Sequence, residues 1–233
     1  MAVETELHPM RDRFALALDV DDVVAATRLA NELRPWFGVA KIGLELYSAA
    51  GPDAVLSVID AGYKVFLDLK LHDIPTTVNK ACRVLGALGV SYVSMHGSGG
   101  ALMLRAGIEG LSDGASRAGL DIPKALAVTV LTSDMLVESH VLTQRVKAAL
   151  EAHCPGVVCA ASDVREVKQL GPSLITVVPG IRPAGSPLHD QHRAATPAEA
   201  FANGADLLVI GRAVTSAPDH AAAASSLLES IGS

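Results

Sequence analysis

Cysteine is scarce in this 233-residue chain: Cys82, Cys154 and Cys159 are all it has. Three thiols so scattered cannot build a disulfide framework, which excludes a small cross-linked secreted module and suits a reducing cytosol. Charge is sparse too. Only 19% of residues are charged and the formal net charge is −6, which argues against a nucleic-acid surface. An anionic ligand would have to be met by a few aimed cations. The first apolar stretch, residues 14–20, falls far short of a membrane span. Residues 1–13 mix Glu4, Glu6, His8, Pro9 and Arg11 and lack the apolar core of a signal peptide. These absences lead to the expectation of a cytoplasmic protein with no membrane and no nucleic-acid partner. No linker, low-complexity segment or block of like charge divides the chain. No Gly-x-Gly-x-x-Gly turn follows the first apolar run, which removes the strongest cue for a dinucleotide-binding sheet.

Half of the residues are apolar, enough to bury a sizeable core. Short apolar runs at 14–19, 39–43, 63–70, 90–96, 125–132, 156–160, 174–179 and 206–211 read as strands buried on both faces. Helical stretches fill gaps between them at 21–35, 76–88, 100–116, 141–152, 163–170 and 197–203. Asp21 or Asp22 can cap the first, and Pro35 stops it. Eight such strands alternating with helices predict a parallel (β/α)8 TIM barrel forming one domain over residues 1–233, with 1–12 as an N-terminal extension. An open doubly wound sheet is the alternative.

Barrel active sites lie at the carboxyl ends of the strands. Polar residues collect there: Asp19 after strand one, Lys41 on strand two, Asp68 and Lys70 on strand three, His96 on strand four and Thr132 on strand five. The seventh strand runs into Pro179-Gly180-Ile181-Arg182 and the eighth into Gly211-Arg212. Any one of these could be a helix cap or a surface ion pair; the set, at one end of successive strands, points to chemistry. Strand alternation sends Asp68 and Lys70 into the barrel mouth and Leu67 and Leu69 toward the helices. With Asp73 just beyond, Asp-x-Lys-x-x-Asp sets a lysine between two carboxylates. Spacing alone leaves open whether Asp73 folds back on its own chain. Gly180, Gly204 and Gly211 are expected around the turns after strands seven and eight, where backbone N–H groups suit a phosphate. Arg212 and Gln191 can add donors there.

These residues, Asp68-Leu-Lys70-Leu-His72-Asp73-Ile74-Pro75 together with Ala17-Leu-Asp19, Lys41-Ile-Gly43, Val128-Thr-Val-Leu-Thr-Ser133, Pro179-Gly-Ile-Arg-Pro183, Asp190-Gln191 and Val209-Ile-Gly-Arg212, resemble the orotidine 5'-phosphate decarboxylase family over nearly the whole chain. The resemblance implies decarboxylation of orotidine 5'-phosphate (OMP) to UMP, the last step of de novo pyrimidine nucleotide synthesis, with no cofactor and no metal. It implies that Lys70 protonates C6 of the pyrimidine and that Asp68 sits against the substrate carboxylate. Lys41 would hold Asp68 and a ribose hydroxyl, Asp19 would bind the ribose, and Thr132 would contact the pyrimidine edge. Gln191, Gly211 and Arg212 would hold the phosphate, with Arg182 nearby. Asp73, Ile74 and Thr77 would enter the site of a partner subunit, making the enzyme a homodimer.

Three rival readings remain. Sugar-phosphate decarboxylases and aldolases of related sequence also carry Asp-x-Lys-x-x-Asp but need Mg²⁺; Thr132 and the His-Asp-Ile-Pro setting favour the pyrimidine. A catalytically dead phosphate-binding barrel would not need so dense a charge cluster. A metal site at His153, Cys154 and Cys159 fits no familiar zinc spacing, and a buried structural cysteine is the simpler reading of Cys159. His72 is assigned to packing and His96 to hydrogen bonding at the barrel mouth.

Overall fold

The structure, a computed structural model, describes residues 7–131, 139–183 and 195–231. Eight parallel strands close on themselves in sequence order: β1 (Phe14–Leu18), β2 (Val39–Ile42), β3 (Lys64–Leu71), β4 (Tyr92–His96), β5 (Lys124–Val128), β6 (Gly156–Val158), β7 (Ile175–Val178) and β8 (Leu207–Ile210). Around them run α1 (Val23–Leu33), α2 (Leu44–Ala50), α3 (Pro52–Asp60), α4 (Pro75–Gly86), α5 (Gly100–Ala118), α6 (Ser139–Glu151), α7 (Val164–Leu170), α8 (Pro197–Ala202), α9 (Arg212–Thr215) and α10 (His220–Glu229). This is a single-domain (β/α)8 barrel; the open sheet is ruled out because β8 pairs with β1, Phe14 against Leu208 and Leu16 against Ile210. No helix among the described residues is long and apolar enough to cross a membrane.

Two nested cores follow from the alternation of side chains along each strand. One parity (Leu16, Leu18, Ala40, Ile42, Leu67, Val93, Met95, Leu208, Ile210) joins the helices in a continuous outer core. The opposite parity (Ala15, Ala17, Val39, Phe66, Leu126, Val128, Val158, Val177, Leu207, Val209) fills the barrel. That inner set ends upward in the polar residues of the mouth, so the pattern that closes the barrel also aims the site.

Observed strands stop short of the expected ones, by one residue on β1, β2, β7 and β8, by two on β6 and by four on β5. Asp22 caps α1, accepting from the N–H groups of Val24 and Ala25 at 3.0 and 3.2 Å. Helices α2, α3, α9 and α10 are additions to the sequence reading. Helix α4 approaches α5 backbone to backbone: a Cβ on Gly110 would lie 2.3 Å from the Asn79 carbonyl oxygen, and one on Gly114 2.0 Å from that of Arg83. Glycine at both positions anchors α4, and with it the 72–75 segment that precedes it.

Asp206 joins β7 to β8 beneath the barrel. Its Oδ2 accepts from the Thr176 N–H (2.8 Å) and hydroxyl (2.9 Å) and from Lys168 Nζ (2.7 Å). Burial pushes this carboxyl up, but the hydrogen bonds from Lys168 and Thr176 outweigh burial and hold it below its ordinary value. A depressed carboxylate contributes stability above its unfolded-state pKa, and that stability is lost as pH falls through the folded-state value. Asp206→Asn is therefore expected to lower the urea midpoint at pH 7. The gap to wild type should close as pH drops below about 4, where an aspartate in the unfolded chain takes up its proton. A gap that stays constant from pH 7 to pH 3 would show that the carboxylate charge is not what matters.

Candidate active site

Barrel strand ends β1, β2 and β3 bring four charges together in two pairs. Lys41 Nζ donates to Asp19 Oδ1 at 2.8 Å, and Lys70 Nζ donates to Asp68 Oδ2 at 2.8 Å. Lys41 and Asp68 are buried and Asp19 is largely exposed. Charges removed from water this far persist only when paired and hydrogen-bonded. Gly43 leaves the room the first pair needs, since a Cβ there would stand 3.0 Å from Lys41 Nζ and 3.4 Å from Asp19 Oδ1.

Strand β3 reaches this arrangement by an irregularity. Leu67 pairs with Val93 and Leu71 with Met95, so β3 spends four residues where β4 spends two. Lys70 takes φ +50°, a left-handed conformation rare outside glycine. The excess is even, so parity survives: Leu69 and Leu71 pack outward on the helical core, while Asp68 and Lys70 face the cavity.

Ser94 went unnoticed in the sequence reading. Wholly buried on β4, it donates to Asp68 Oδ1 at 2.7 Å and accepts the Lys70 backbone N–H at 2.9 Å. A signal was present, because Ser94 lies two residues before His96 and so shares its face of the strand.

The cavity above these groups has a volume of about 730 Å³. Phe66, Val128, Val130, Leu131, Val158 and Val209 give it apolar walls. Its charged lining is cationic in excess: Lys41, Lys70, Arg28, Arg182 and Arg212 against Asp19, Glu32 and Asp68. A chain of net charge −6 thus presents a locally positive pocket, suited to a small anion with an apolar body. Gly180, Gly211 and Arg212 line it next to β7 and β8 as expected. Gly204 does not. It lies between α8 and β8, at the opposite rim, where its carbonyl accepts from the Thr176 hydroxyl. Thr132 and Gln191 lie outside the described residues, as do Ser133, Asp190 and the 184–189 stretch.

Two expected contacts are absent within one chain. Lys41 reaches Asp19 rather than Asp68. Asp73 does not flank Lys70: it is exposed, its Oδ1 accepts the Ile74 N–H at 2.6 Å, and neither it nor Ile74 nor Thr77 lines the cavity. His72 and His96 stack on each other at 5.5 Å, outside the cavity lining. Among the described residues, no group of three or more His, Cys, Asp or Glu side chains is arranged to hold a metal ion.

The model of the orotidine 5'-phosphate decarboxylase / HUMPS family matches residues 12–227. The orotidine 5'-phosphate decarboxylase of Moorella thermoacetica is 42% identical over 233 residues, covering 95% of this chain and 92% of its own. That of Lactiplantibacillus plantarum is 45% identical over 191 residues, 77% of this chain and 81% of its own. The crystal structure of orotidine 5'-phosphate decarboxylase from Lactobacillus acidophilus superposes with a TM-score of 0.77 at 33% identity, covering 95% of this chain and 100% of that one.

None of the three cysteines forms a disulfide, and all are buried. Burial pushes the Cys82 thiol up to about 12 and that of Cys154 to about 11, leaving little of the reactive thiolate at neutral pH. Cys159 alone of the three lines the cavity. A chromogenic disulfide reagent at pH 8 should therefore titrate at most one thiol in the native protein and all three in guanidinium. Rapid reaction of two or three native thiols would contradict this burial.

Proposed function

Because the chain belongs to the orotidine 5'-phosphate decarboxylase / HUMPS family, we propose that it converts OMP to UMP and CO₂ without metal or cofactor. The observation that carries the reading is the Lys70 ammonium held 2.8 Å from the buried Asp68 carboxylate, inside an apolar-walled cavity with a cationic excess. In the proposed step the bond from C6 to the carboxylate breaks, CO₂ leaves, and the electron pair stays on C6 in the ring plane. The ring π system cannot delocalise that pair, so stabilisation must be electrostatic. Lys70 Nζ faces the developing carbanion and then donates its proton to C6; solvent restores the ammonium.

Asp68 pairs with Lys70 and aims its ammonium. The Lys41–Asp19 pair presents a donor and an acceptor to the ribose hydroxyls, with Thr132 at the pyrimidine edge. Arg212, Gly211 and Gln191 take the phosphate, with Arg182 beside them. Phosphate binding far from C6 supplies energy for ordering the reacting end. The reaction closes de novo pyrimidine nucleotide synthesis, and three buried thiols outside any disulfide suit the reducing cytosol where that would occur.

Asp73, Ile74 and Thr77 are read as serving a second copy of the chain in a homodimer. Their exposure outside their own cavity supports this, as does the apolar Ile74 side chain left 66% exposed.

Purified protein given OMP in EDTA should show the ultraviolet loss that accompanies UMP formation. Activity that disappears in EDTA and returns with Mg²⁺ would sink the metal-free reading. Lys70→Ala should abolish turnover, whereas Arg212→Ala should chiefly raise KM. The latter loses one ionic contact of about 1.5–3 kcal/mol; substantial kcat in Lys70→Ala would remove it as proton donor. Mixing the inactive Lys70→Ala and Asp73→Ala proteins tests the shared site. With random pairing about a quarter of the sites are whole and activity recovers accordingly; no recovery after subunit exchange would show each site to be private.

A further inference from the structure

Along β3 and β4 one residue stands opposite three. Between the pairs Leu67–Val93 and Leu71–Met95, β4 supplies only Ser94 while β3 supplies Asp68, Leu69 and Lys70. The Ser94 hydroxyl meets both polar members of that bulge: it donates to Asp68 Oδ1 at 2.7 Å and accepts the Lys70 N–H at 2.9 Å. The second oxygen of the same carboxylate, Oδ2, receives the Lys70 ammonium at 2.8 Å. A small ring results, running from the Lys70 backbone through Ser94 and Asp68 back to the tip of Lys70. Lys70 enters it with φ +50°, a conformation that lasts in a non-glycine residue only where surrounding contacts over-determine it. Ser94 has 0% exposure, so no bulk water can replace either bond.

We propose that Ser94 is a positioning residue. Its hydroxyl clamps the bulge of β3, fixing the rotation of the Asp68 carboxylate and the left-handed turn at Lys70, and so the point in the cavity that the ammonium occupies. The proposal rests on the reading of Lys70 as the proton donor. The chemistry selects a hydroxyl, because one atom must both donate to a carboxylate and accept from an amide. Alanine can do neither, and a thiol is weak at both.

The test compares Ser94→Ala, Ser94→Cys and Ser94→Thr in the full-length protein by steady-state kinetics with OMP, by UMP affinity and by thermal midpoint. Ser94→Ala should lower kcat on the order of 10²-fold, the scale set by a misplacement of about 1 Å. KM and UMP affinity should stay within about twofold, because neither reports the proton-transfer geometry alone. Ser94→Cys should resemble Ser94→Ala, and it replaces that variant if alanine prevents folding. Ser94→Thr, which keeps the hydroxyl, should recover most of kcat. A merely structural serine predicts instead that kcat, KM and UMP affinity decline together with the thermal midpoint. Folded Ser94→Ala with kcat within about threefold of wild type, or no better turnover in Ser94→Thr than in Ser94→Ala, would overturn the proposal.

Nuclear magnetic resonance of ¹³C-methylated lysines supplies a readout without turnover. The Lys70 signal, identified by its loss in Lys70→Arg, should move in Ser94→Ala while the Lys41 signal stays. An unmoved Lys70 signal refutes the clamp. Wild-type protein inert toward OMP would defeat the functional reading instead, and the lysine spectrum would still decide the role of Ser94.

Discussion

A single carboxylate holds the mouth of this barrel in order. Asp68 is buried, and a buried charge with no partner would cost more than the site could tolerate. One of its oxygens takes the Lys70 ammonium and the other the Ser94 hydroxyl. That demand explains several features together. It draws β3 out of register with β4, it retains Lys70 in a left-handed turn, and it puts a fully buried serine at a position otherwise fit for an apolar side chain. Below it, Phe66 continues the same inward parity and seals the barrel. The hydrophobic interior and the polar mouth are thus successive levels of one alternating pattern.

The neighbouring pair, Lys41 with Asp19, follows the same rule with a different exposure. Asp19 stays in contact with solvent while Lys41 is buried, so this pair exposes its carboxylate, whereas in the Asp68–Lys70 pair it is the ammonium that is the more exposed member. Gly43 is the condition for it, since a larger residue would press on the ammonium. Both pairs are close to neutral internally. The positive balance of the cavity comes from its arginines on the β1 and β7–β8 sides. Attraction for an anion and the groups read as reacting with it are supplied by different parts of the fold.

Much of this was legible in the residues because a parallel barrel repeats one rule eight times. Apolar runs marked all eight strands, and the polar residues closing them marked the rim. Alternation was sound even at β3, though for an incomplete reason: the bulge adds an even number of residues, so Asp68 and Lys70 keep their side. Helices α2 and α3 were obscured by the Gly51-Pro52 break between them, and α10 by its run of alanines and serines, which shows no clear apolar stripe. Ser94 escaped because a lone hydroxyl inside a strand has no chemical signature until its partners are known. Gly204 was misjudged because a glycine before a strand and one after it look alike in sequence, yet they lie at opposite rims. The partners of Lys41 and Asp73 were beyond reach for a third reason: spacing along the chain does not say which charged or polar group lies nearest in space.

The barrel interior is also lopsided. Under β3 the bulky ring of Phe66 fills the floor, while on the β1–β8 side Ala17 and Gly211 nearly touch, a Cβ on Gly211 lying 3.4 Å from that of Ala17. The mouth is thus lined by small residues where β1 meets the turn after β8 and by a bulky one beneath Lys70. A ligand therefore meets small residues and backbone on the β1–β8 side and an aromatic ring beneath the ammonium on the β3 side, so the two flanks differ in shape as well as in charge.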